Sequence, residues 1–358
     1  MKMRLAPLLL ILGLAACGTR PVAQVSPSPV PSASAPPSER VGPGGLTLDE
    51  EIGAVMMVGF QGAATDAVLA DWQRRQFGGL LIVNNNHNGS TPANITGLIH
   101  AIRESDRHRL VAATDQEGGG VCIAISTIPC SAMPVGESDT TKMARGIHAL
   151  GFDLDLGPVS DVCSGTSSIM WGRCYGTAPA TVAASVGAVV DGIHQGGMLS
   201  AAKHFPGHGD TTVSSETRLP RIDESLATLR TRELPPFQSA IAHGTDFVLL
   251  GHLFYPALDP HRSADLSPAT FNVLRTELAF KGAIISDDME MGAITASTPT
   301  PEAAVEFLVA GGDMVMIAHH LAVADATYDA IKSAVQSGRL PRSRLDAAVA
   351  ALQALPGA

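Results

Sequence analysis

Eight apolar runs rich in β-branched residues recur along this chain, and stretches with helical spacing separate them. Eight alternating strand and helix segments predict a parallel sheet covered by helices. In a chain of 358 residues, this number of units is typical of a closed (β/α)8 barrel. The alternative is a doubly wound open sheet, but the Gly-x-Gly-x-x-Gly loop expected after its first strand is missing. The predicted strands are residues 55–58, 79–83, 110–113, 154–157, 198–201, 247–250, 283–285 and 314–317, and helices are predicted at 178–195, 226–242 and 301–310.

The amino terminus predicts export. Lys2 and Arg4 precede an apolar stretch at 5–14, which is too short to span a membrane as a helix but fits a secretory signal. Small residues then lead into Cys17, a pattern typical of a bacterial lipobox. We therefore expect a signal peptide at 1–16 and a lipid on Cys17. The alternative is an ordinary secretory signal with an incidental cysteine.

The segment after the lipobox predicts a tether rather than a folded domain. Residues 18–45 contain seven prolines and five serines, a composition that buries too little apolar surface to offset the entropy of ordering. We assign 17–45 to the lipidated cysteine and a disordered tether, and 46–358 to one catalytic barrel domain. The expected location is the extracytoplasmic face of the cell membrane, with the lipid as the sole membrane contact.

Charge and cysteine content narrow the expected partners and the redox state. A formal net charge of −10 argues against nucleic acid as a partner. Separately, we expect the domain to be a monomer. An even number of cysteines after Cys17 suggests disulfides in an oxidising compartment. We predict Cys122–Cys130 and Cys163–Cys174, because each pair closes a short loop. Zinc is the competing interpretation, but no Cys-x-x-Cys pair or histidine cluster accompanies these cysteines.

Titratable side chains follow several of the predicted strands. In a (β/α)8 barrel, residues at the carboxyl ends of the strands meet at one mouth, where such proteins keep their chemistry. A single polar residue after a strand is more often a loop residue or a helix cap, but five such strand ends together favour a site. These residues are Asp115, Asp161, Lys203 with His204, His252, and Asp287 with Asp288.

The most specific motif is KHFPGHGD at 203–210, which follows an apolar run directly. One proline and two glycines predict a tight loop, and its lysine and histidines can donate hydrogen bonds to hydroxyl groups. Here the sequence closely resembles the bacterial β-N-acetylglucosaminidases of glycoside hydrolase family 3. Further segments resemble this family in the same order, although the arginine that usually follows the TDQEGG signature is Gly120 here. They are LTLDEEIGAVMMVGF at 46–60, TDQEGG at 114–119, GPVSDV at 157–162, GRCYG at 172–176, ISDDMEMG at 285–292 and AGGDM at 310–314.

The resemblance implies a nucleophile and a set of substrate-binding residues. Asp287 is the implied nucleophile, which would attack the anomeric carbon and form a covalent glycosyl-enzyme. Its neighbour Asp288 is expected to point elsewhere and to serve the loop. The family implies no metal and no cofactor.

The sugar-binding side chains implied by the resemblance come from three segments. Asp115 would accept hydrogen bonds from sugar hydroxyls, while Lys203 and His204 would donate to them. Arg173 would bind the same side of the sugar with its rigid set of donors. His252 is expected either to line the pocket or to be a buried histidine of its wall.

One departure from the family concerns the proton donor. The family carries Asp-Ser-His after the Phe-Pro-Gly-His-Gly element, with the histidine as acid/base, whereas residues 214–216 here are Ser-Ser-Glu. Three interpretations stay open. Glu216 is the acid/base, which is the usual residue type in glycosidases; or His208 or Asp210 of the same loop substitutes; or the proton donor has been lost.

The predicted function is a retaining exo-β-N-acetylglucosaminidase that acts on terminal N-acetylglucosamine (GlcNAc) of peptidoglycan-derived glycans. The first alternative is a non-catalytic lipoprotein that binds such glycans. The second is a phosphorylase, because loss of a carboxylate beside the sugar favours an anionic acceptor.

Overall fold

The computed structural model describes residues 41–357, which contain a closed barrel of eight parallel strands. Each strand pairs with the next along the chain, and β8 closes the barrel against β1. The predicted (β/α)8 barrel is therefore confirmed. The strands are β1 (Met56–Val58), β2 (Gly79–Leu81), β3 (Val111–Thr114), β4 (Leu154–Asp155), β5 (Leu199–Phe205), β6 (Phe247–Leu250), β7 (Ala283–Asp288) and β8 (Met314–Ile317).

Helices lie between the strands. Two π-helical segments, Leu229–Glu233 and Val273–Glu277, and three short 3-10 segments, Pro43–Gly45, Asn84–Asn86 and Ala264–Leu266, supplement them. The α-helices are α1 (Leu48–Ala54), α2 (Asp66–Arg75), α3 (Pro92–Ser105), α4 (Glu137–His148), α5 (Pro179–Gln195), α6 (Leu226–Thr228), α7 (Leu234–Ala242), α8 (Pro268–Asn272), α9 (Gly292–Thr295), α10 (Thr300–Ala310), α11 (Leu321–Gln336) and α12 (Arg342–Gln353).

Strand side chains alternate between two apolar layers. In β6, Phe247 and Leu249 belong to the cluster inside the barrel, while Val248 and Leu250 belong to the cluster between strands and helices. This division follows from the twofold side-chain period of a strand. Because both faces of each strand are buried, the strands read in the sequence as continuous apolar runs.

The sequence locates every strand but not every strand end. All eight predicted strands exist, but β5 and β7 continue through polar residues to Phe205 and Asp288. The predicted helix at 226–242 is helical throughout, although a π segment interrupts it. The folded part also begins earlier than Leu46, because Pro43–Gly45 forms a 3-10 turn.

Both predicted disulfides are present. Cys122–Cys130 has a Cα–Cα distance of 6.0 Å, and Cys163–Cys174 has one of 6.2 Å, within the usual range. The signal peptide, Cys17 and most of the predicted tether lie outside the described residues. Within residues 41–357, no helix combines the length and the apolar character needed to cross a bilayer.

Candidate active site

A polar cavity of about 210 Å³ opens at the carboxyl mouth of the barrel. Its floor is apolar, because Leu156, Leu249 and Met316 from the barrel interior close it below. Its walls carry charged and polar groups from the ends of several strands and the loops that follow them. The titratable residues of these walls are Asp115, Arg173, Lys203, His204, His208, Glu216, Asp287, Asp288 and His319.

Asp287 lies on β7 and is held as a carboxylate. One of its oxygens accepts a hydrogen bond from the backbone N–H of Asp288 at 2.9 Å. Burial opposes ionisation, but the nearby His204 and His252, this backbone hydrogen bond and Lys203 together lower the pKa of Asp287. A carboxylate that stays charged beside the open cavity has the properties of a nucleophile or of an electrostatic stabiliser.

His252 is hydrogen-bonded to the backbone of β7 and does not line the cavity. Its ring is fully buried, with Nδ1 at 2.9 Å from Asp265 and Nε2 at 2.9 Å from the backbone carbonyl of Asp288. Burial disfavours a charged imidazole, but Asp265 outweighs it and raises the pKa of His252 to about 9. Of the two alternatives predicted from the sequence, the structure therefore has the buried wall histidine.

Asp288 serves the loop, as the sequence predicts, although it also borders the cavity. Its Oδ1 accepts hydrogen bonds from the backbone N–H groups of Glu290 at 3.1 Å and Ala318 at 2.9 Å. Burial raises the pKa of Asp288 to about 7, despite these hydrogen bonds. The two adjacent carboxyls thus differ in role: Asp287 is held charged beside the cavity, and Asp288 joins β7 to β8.

A buried carboxylate, Glu117, joins the two basic residues of the site. It lies 2.6 Å from the Lys203 Nζ and accepts a bidentate pair of hydrogen bonds from Arg173, at 2.6 and 2.8 Å. Burial opposes ionisation, but Lys203 and Arg173 lower the pKa of Glu117 to about 2. Lys203 also donates to Asp115. These four residues form one charged network along one wall of the site.

His204 is fixed by a second buried carboxylate, Asp161. Its Nδ1 lies 2.7 Å from Asp161 Oδ2, and the backbone N–H of His208 donates to Oδ1 of the same group at 2.6 Å. Because Asp161 engages Nδ1, His204 presents its Nε2 edge for hydrogen bonding. Asp161 thereby orients a cavity side chain and the following loop together.

The Ser-Ser-Glu segment is tied to the start of α9. The backbone N–H groups of Gly292 and Ala293 donate to the carbonyls of Glu216 and Ser215, both at 2.9 Å. His208 Nε2 lies 3.2 Å from the Ser215 hydroxyl. The Glu216 side chain borders the cavity, where burial and the negative charge of Asp287 raise its pKa.

The other two acid/base candidates have different surroundings. His208 borders the cavity, but burial and the nearby His204 lower its pKa to about 4, so it is neutral near pH 7. Asp210 does not border the cavity. It faces a separate surface depression with Arg232, 3.8 Å away, and Glu224.

Several site residues carried no predicted role. Glu117 stands two residues after Asp115 in the TDQEGG motif, and Asp161 is one of the titratable residues that follow the predicted strands, so the sequence indicated the position of both residues but not their roles. Asp265 follows His252 by 13 residues, in the 3-10 segment Ala264–Leu266, and no motif marks it. His319 also borders the cavity, where its Nδ1 lies 2.6 Å from Asn86 Oδ1. No group of acidic, histidine or cysteine side chains among residues 41–357 has the arrangement of a metal site.

A parallel barrel with an ionised carboxylate, a protonatable carboxyl and paired basic residues at its carboxyl mouth has the features of the glycoside hydrolase class. Residues 47–355 match the Glycosyl hydrolase family 3 N terminal domain. The chain therefore belongs to glycosyl hydrolase family 3. It is 33% identical over 294 residues to a beta-hexosaminidase of Stenotrophomonas maltophilia (strain K279a), covering 76% of this chain and 86% of that protein. A beta-hexosaminidase of Xylella fastidiosa (strain 9a5c) is 30% identical over 289 residues, covering 76% and 85% of the two chains.

Solved structures agree with the family assignment. The glycoside hydrolase family 3 beta-N-acetylglucosaminidase from Paenibacillus sp. str. FPU-7 superposes with a TM-score of 0.82 at 31% identity. The superposition covers 86% of this chain but only 62% of that longer chain. LpqI from M tuberculosis superposes with a TM-score of 0.80 at 28% identity, covering 87% of this chain and 94% of LpqI.

Proposed function

We propose that this protein is a retaining exo-β-N-acetylglucosaminidase with Asp287 as nucleophile and Glu216 as acid/base. One observation carries the proposal: the two carboxyls border the same cavity, and their surroundings shift their pKa values in opposite directions. This is the division of roles that a glycosidase needs between a charged nucleophile and a protonated acid.

The proposed chemistry proceeds in two displacements. The Asp287 carboxylate attacks the anomeric carbon while protonated Glu216 donates its proton to the departing glycosidic oxygen, which gives a covalent glycosyl-enzyme and a free alcohol. The Glu216 carboxylate then takes a proton from water, whose oxygen attacks the same carbon and displaces Asp287. Both displacements invert the carbon, so the product keeps the β configuration.

Glu216 fits the acid role better than the other two candidates. A general acid must hold a proton at the working pH, and the lowered pKa of His208 leaves its imidazole neutral above about 4. Asp210 lines a different surface depression and not this cavity. Of these three candidates, only Glu216 combines a place in the cavity with a raised pKa.

Cavity shape and named relatives support the proposed substrate. An apolar floor closes the cavity below, which favours the end of a glycan over an internal residue. Relatives are named beta-hexosaminidase or beta-N-acetylglucosaminidase, and we extend terminal β-linked GlcNAc to this chain on that ground. In the proposed complex, Asp115, Arg173, Lys203 and His204 bind the sugar.

We further propose that the natural glycans derive from peptidoglycan, since the sequence predicts a lipid anchor at Cys17 on the extracytoplasmic face of the membrane. A Cys17→Ala variant expressed with its full amino terminus tests the anchor. Loss from the membrane fraction, or stalled processing of the precursor, supports lipidation. Unchanged membrane association contradicts it.

Hydrolysis of a chromogenic β-N-acetylglucosaminide, with and without phosphate, tests the activity. We expect release of the chromophore with free GlcNAc as product in both conditions. Release that requires phosphate and yields a sugar phosphate indicates a phosphorylase. Binding of GlcNAc without any release indicates a glycan-binding protein.

A further inference from the structure

Arg173, which binds the sugar in the proposed complex, lies in a long loop without regular secondary structure. The loop connects β4, which ends at Asp155, to α5, which begins at Pro179; the structure describes every residue of this stretch and has no helix or strand in it. Loops longer than about 12–15 residues are usually functional or disordered. Because no helix or strand fixes the Arg173 backbone here, another constraint has to hold it at the cavity.

The Cys163–Cys174 disulfide supplies a covalent constraint within this loop. It joins two cysteines that are 11 residues apart in the chain, and Cys174 directly follows Arg173. Both cysteines are buried. They pack with Val159 and Met170 in a small apolar cluster, separate from the two apolar layers of the barrel. The bridge is therefore an internal anchor of the loop and not a surface link.

Short contacts connect the disulfide to the Arg173 side chain. The backbone N–H groups of Arg173 and Cys174 both donate to the carbonyl of Met170, at 2.9 and 3.1 Å. On the other side of the bridge, the Cys163 N–H donates to the carbonyl of Gly176 at 3.0 Å. The Met170 side chain also contacts the guanidinium, one nitrogen of which lies 3.7 Å from its sulfur. The bridged cysteines and Arg173 thus form one packed unit.

The loop that the disulfide closes forms part of the cavity wall. Ile169, Met170 and Arg173 all line the cavity that contains Asp287. Glu117 binds the guanidinium at the far end of the Arg173 side chain, whereas the near end depends on the loop backbone. Because binding groups have to stay within about 0.5 Å of their productive geometry, both ends of this long side chain have to be fixed before a sugar arrives.

We infer that the Cys163–Cys174 disulfide positions Arg173 for sugar binding, so that full affinity for GlcNAc requires the oxidised cysteine pair. The inference rests on the proposed function, which assigns Arg173 to the sugar. Without the bridge, the loop between the two cysteines has more conformations available to it. Sugar binding then has to order the loop, and the entropic cost of this ordering lowers the affinity.

The Cys122–Cys130 disulfide offers a matched control. It also closes a short loop, with a separation of 8 residues against 11, so the two bridges should constrain the unfolded chain to a similar extent. None of the sugar-binding residues of the proposed complex lies between Cys122 and Cys130. Loss of this bridge should therefore lower the stability of the fold without the same loss of sugar affinity.

Titration with GlcNAc, followed by NMR, tests the inference in a double-mutant cycle. The four proteins are the wild type, Cys163→Ala/Cys174→Ala, Arg173→Ala, and the combination of all three substitutions. We expect removal of the bridge to weaken binding by about tenfold when Arg173 is present. The same removal should weaken binding by less than about twofold when Arg173 is already absent, because the bridge acts through the arginine. Cys122→Ala/Cys130→Ala should also change the affinity by less than about twofold.

Equal losses of affinity with and without Arg173 overturn the inference, and so does unchanged affinity in folded Cys163→Ala/Cys174→Ala. If that variant does not fold, Cys163→Val/Cys174→Ala takes its place, because valine restores apolar volume at the fully buried position. Binding is measured without turnover, so a protein that shows the expected cycle but hydrolyses nothing supports the positioning role and refutes the proposed activity. A wild type that binds no GlcNAc overturns both.

Discussion

The carboxylate of Glu117 accepts two hydrogen bonds from the guanidinium of Arg173, from Nε at 2.8 Å and from an NH2 nitrogen at 2.6 Å. The same carboxylate lies 2.6 Å from Lys203 Nζ. One buried anion therefore holds two cations that would otherwise repel each other beside the sugar site. Its loss should affect folding and substrate binding together.

Glu117→Gln should lower the free energy of unfolding by about 3 kcal/mol, because it leaves buried Lys203 and partly buried Arg173 without their shared counterion. Urea denaturation at pH 7 measures this change. Glu302→Gln is the matched control, since it breaks the exposed pair with Arg339 and should cost less than about 1 kcal/mol. Equal losses in the two variants would contradict a structural role for Glu117.

The same carboxylate predicts a loss of stability in acid. Its pKa is lowered to about 2 in the folded protein, from an ordinary value of 4.5, so its contribution is complete above pH 4.5 and disappears as the pH falls toward 2. The free energy of unfolding, followed from pH 5 to pH 3, should fall more steeply for the wild type than for Glu117→Gln. Parallel curves would mean that another group governs this range.

Asp287 and Asp288 are adjacent on β7, but replacing each carboxyl by an amide should have very different effects on kcat. Asp287→Asn removes the nucleophile and should reduce kcat by more than about 10⁴-fold, without unfolding the protein. Asp288→Asn keeps an amide oxygen that can still accept from the Glu290 and Ala318 N–H groups, so its loss of kcat should be far smaller. Steady-state kinetics with circular dichroism as a folding control decide this. The reverse order of effects would exchange the two roles.

Glu216→Gln should slow substrates according to their leaving groups. Alkyl glycosides and disaccharides need full protonation of the departing oxygen and should lose about 10²–10⁴-fold in kcat/KM, whereas nitrophenyl glycosides should lose much less. Because the pKa of Glu216 is raised, the wild type should lose activity at a higher pH than expected for an ordinary glutamate as Glu216 loses its proton. This loss of activity at higher pH should be absent from the pH profile of the variant. Equal losses on both substrate types, with an unchanged pH profile, would exclude Glu216 as the acid.

The sequence predicts the barrel well, because strands buried on both faces produce runs of apolar residues that periodicity reveals. Strand ends are harder to predict. Lys203 and His204 resemble loop residues, yet they lie within β5, where Glu117 contacts Lys203 and Asp161 contacts His204 from neighbouring segments. A sequence cannot show such pairings when the partners are tens of residues apart.

The acid/base residue is likewise not identifiable from the sequence alone. Spacing places Glu216, His208 and Asp210 near one another in the chain, and no rule of local structure separates them. Their surroundings in the folded protein separate them. Asp210 lies beside Arg232 in a different depression, and His208 is buried beside His204. Glu216 borders the cavity that contains Asp287. Tertiary structure therefore distinguishes residues that the motif alone leaves equivalent.

The most direct test of the proposed mechanism is to isolate the covalent intermediate on Asp287. In Glu216→Gln, an activated nitrophenyl β-N-acetylglucosaminide still glycosylates the enzyme, while water lacks its general base, so the glycosyl-enzyme should accumulate. Rapid acid quenching, proteolysis and mass spectrometry should then find one N-acetylglucosamine residue attached to the peptide that contains Asp287, and to no peptide of Asp287→Asn/Glu216→Gln. Turnover without any adduct, or an adduct on another residue, would contradict the proposed mechanism.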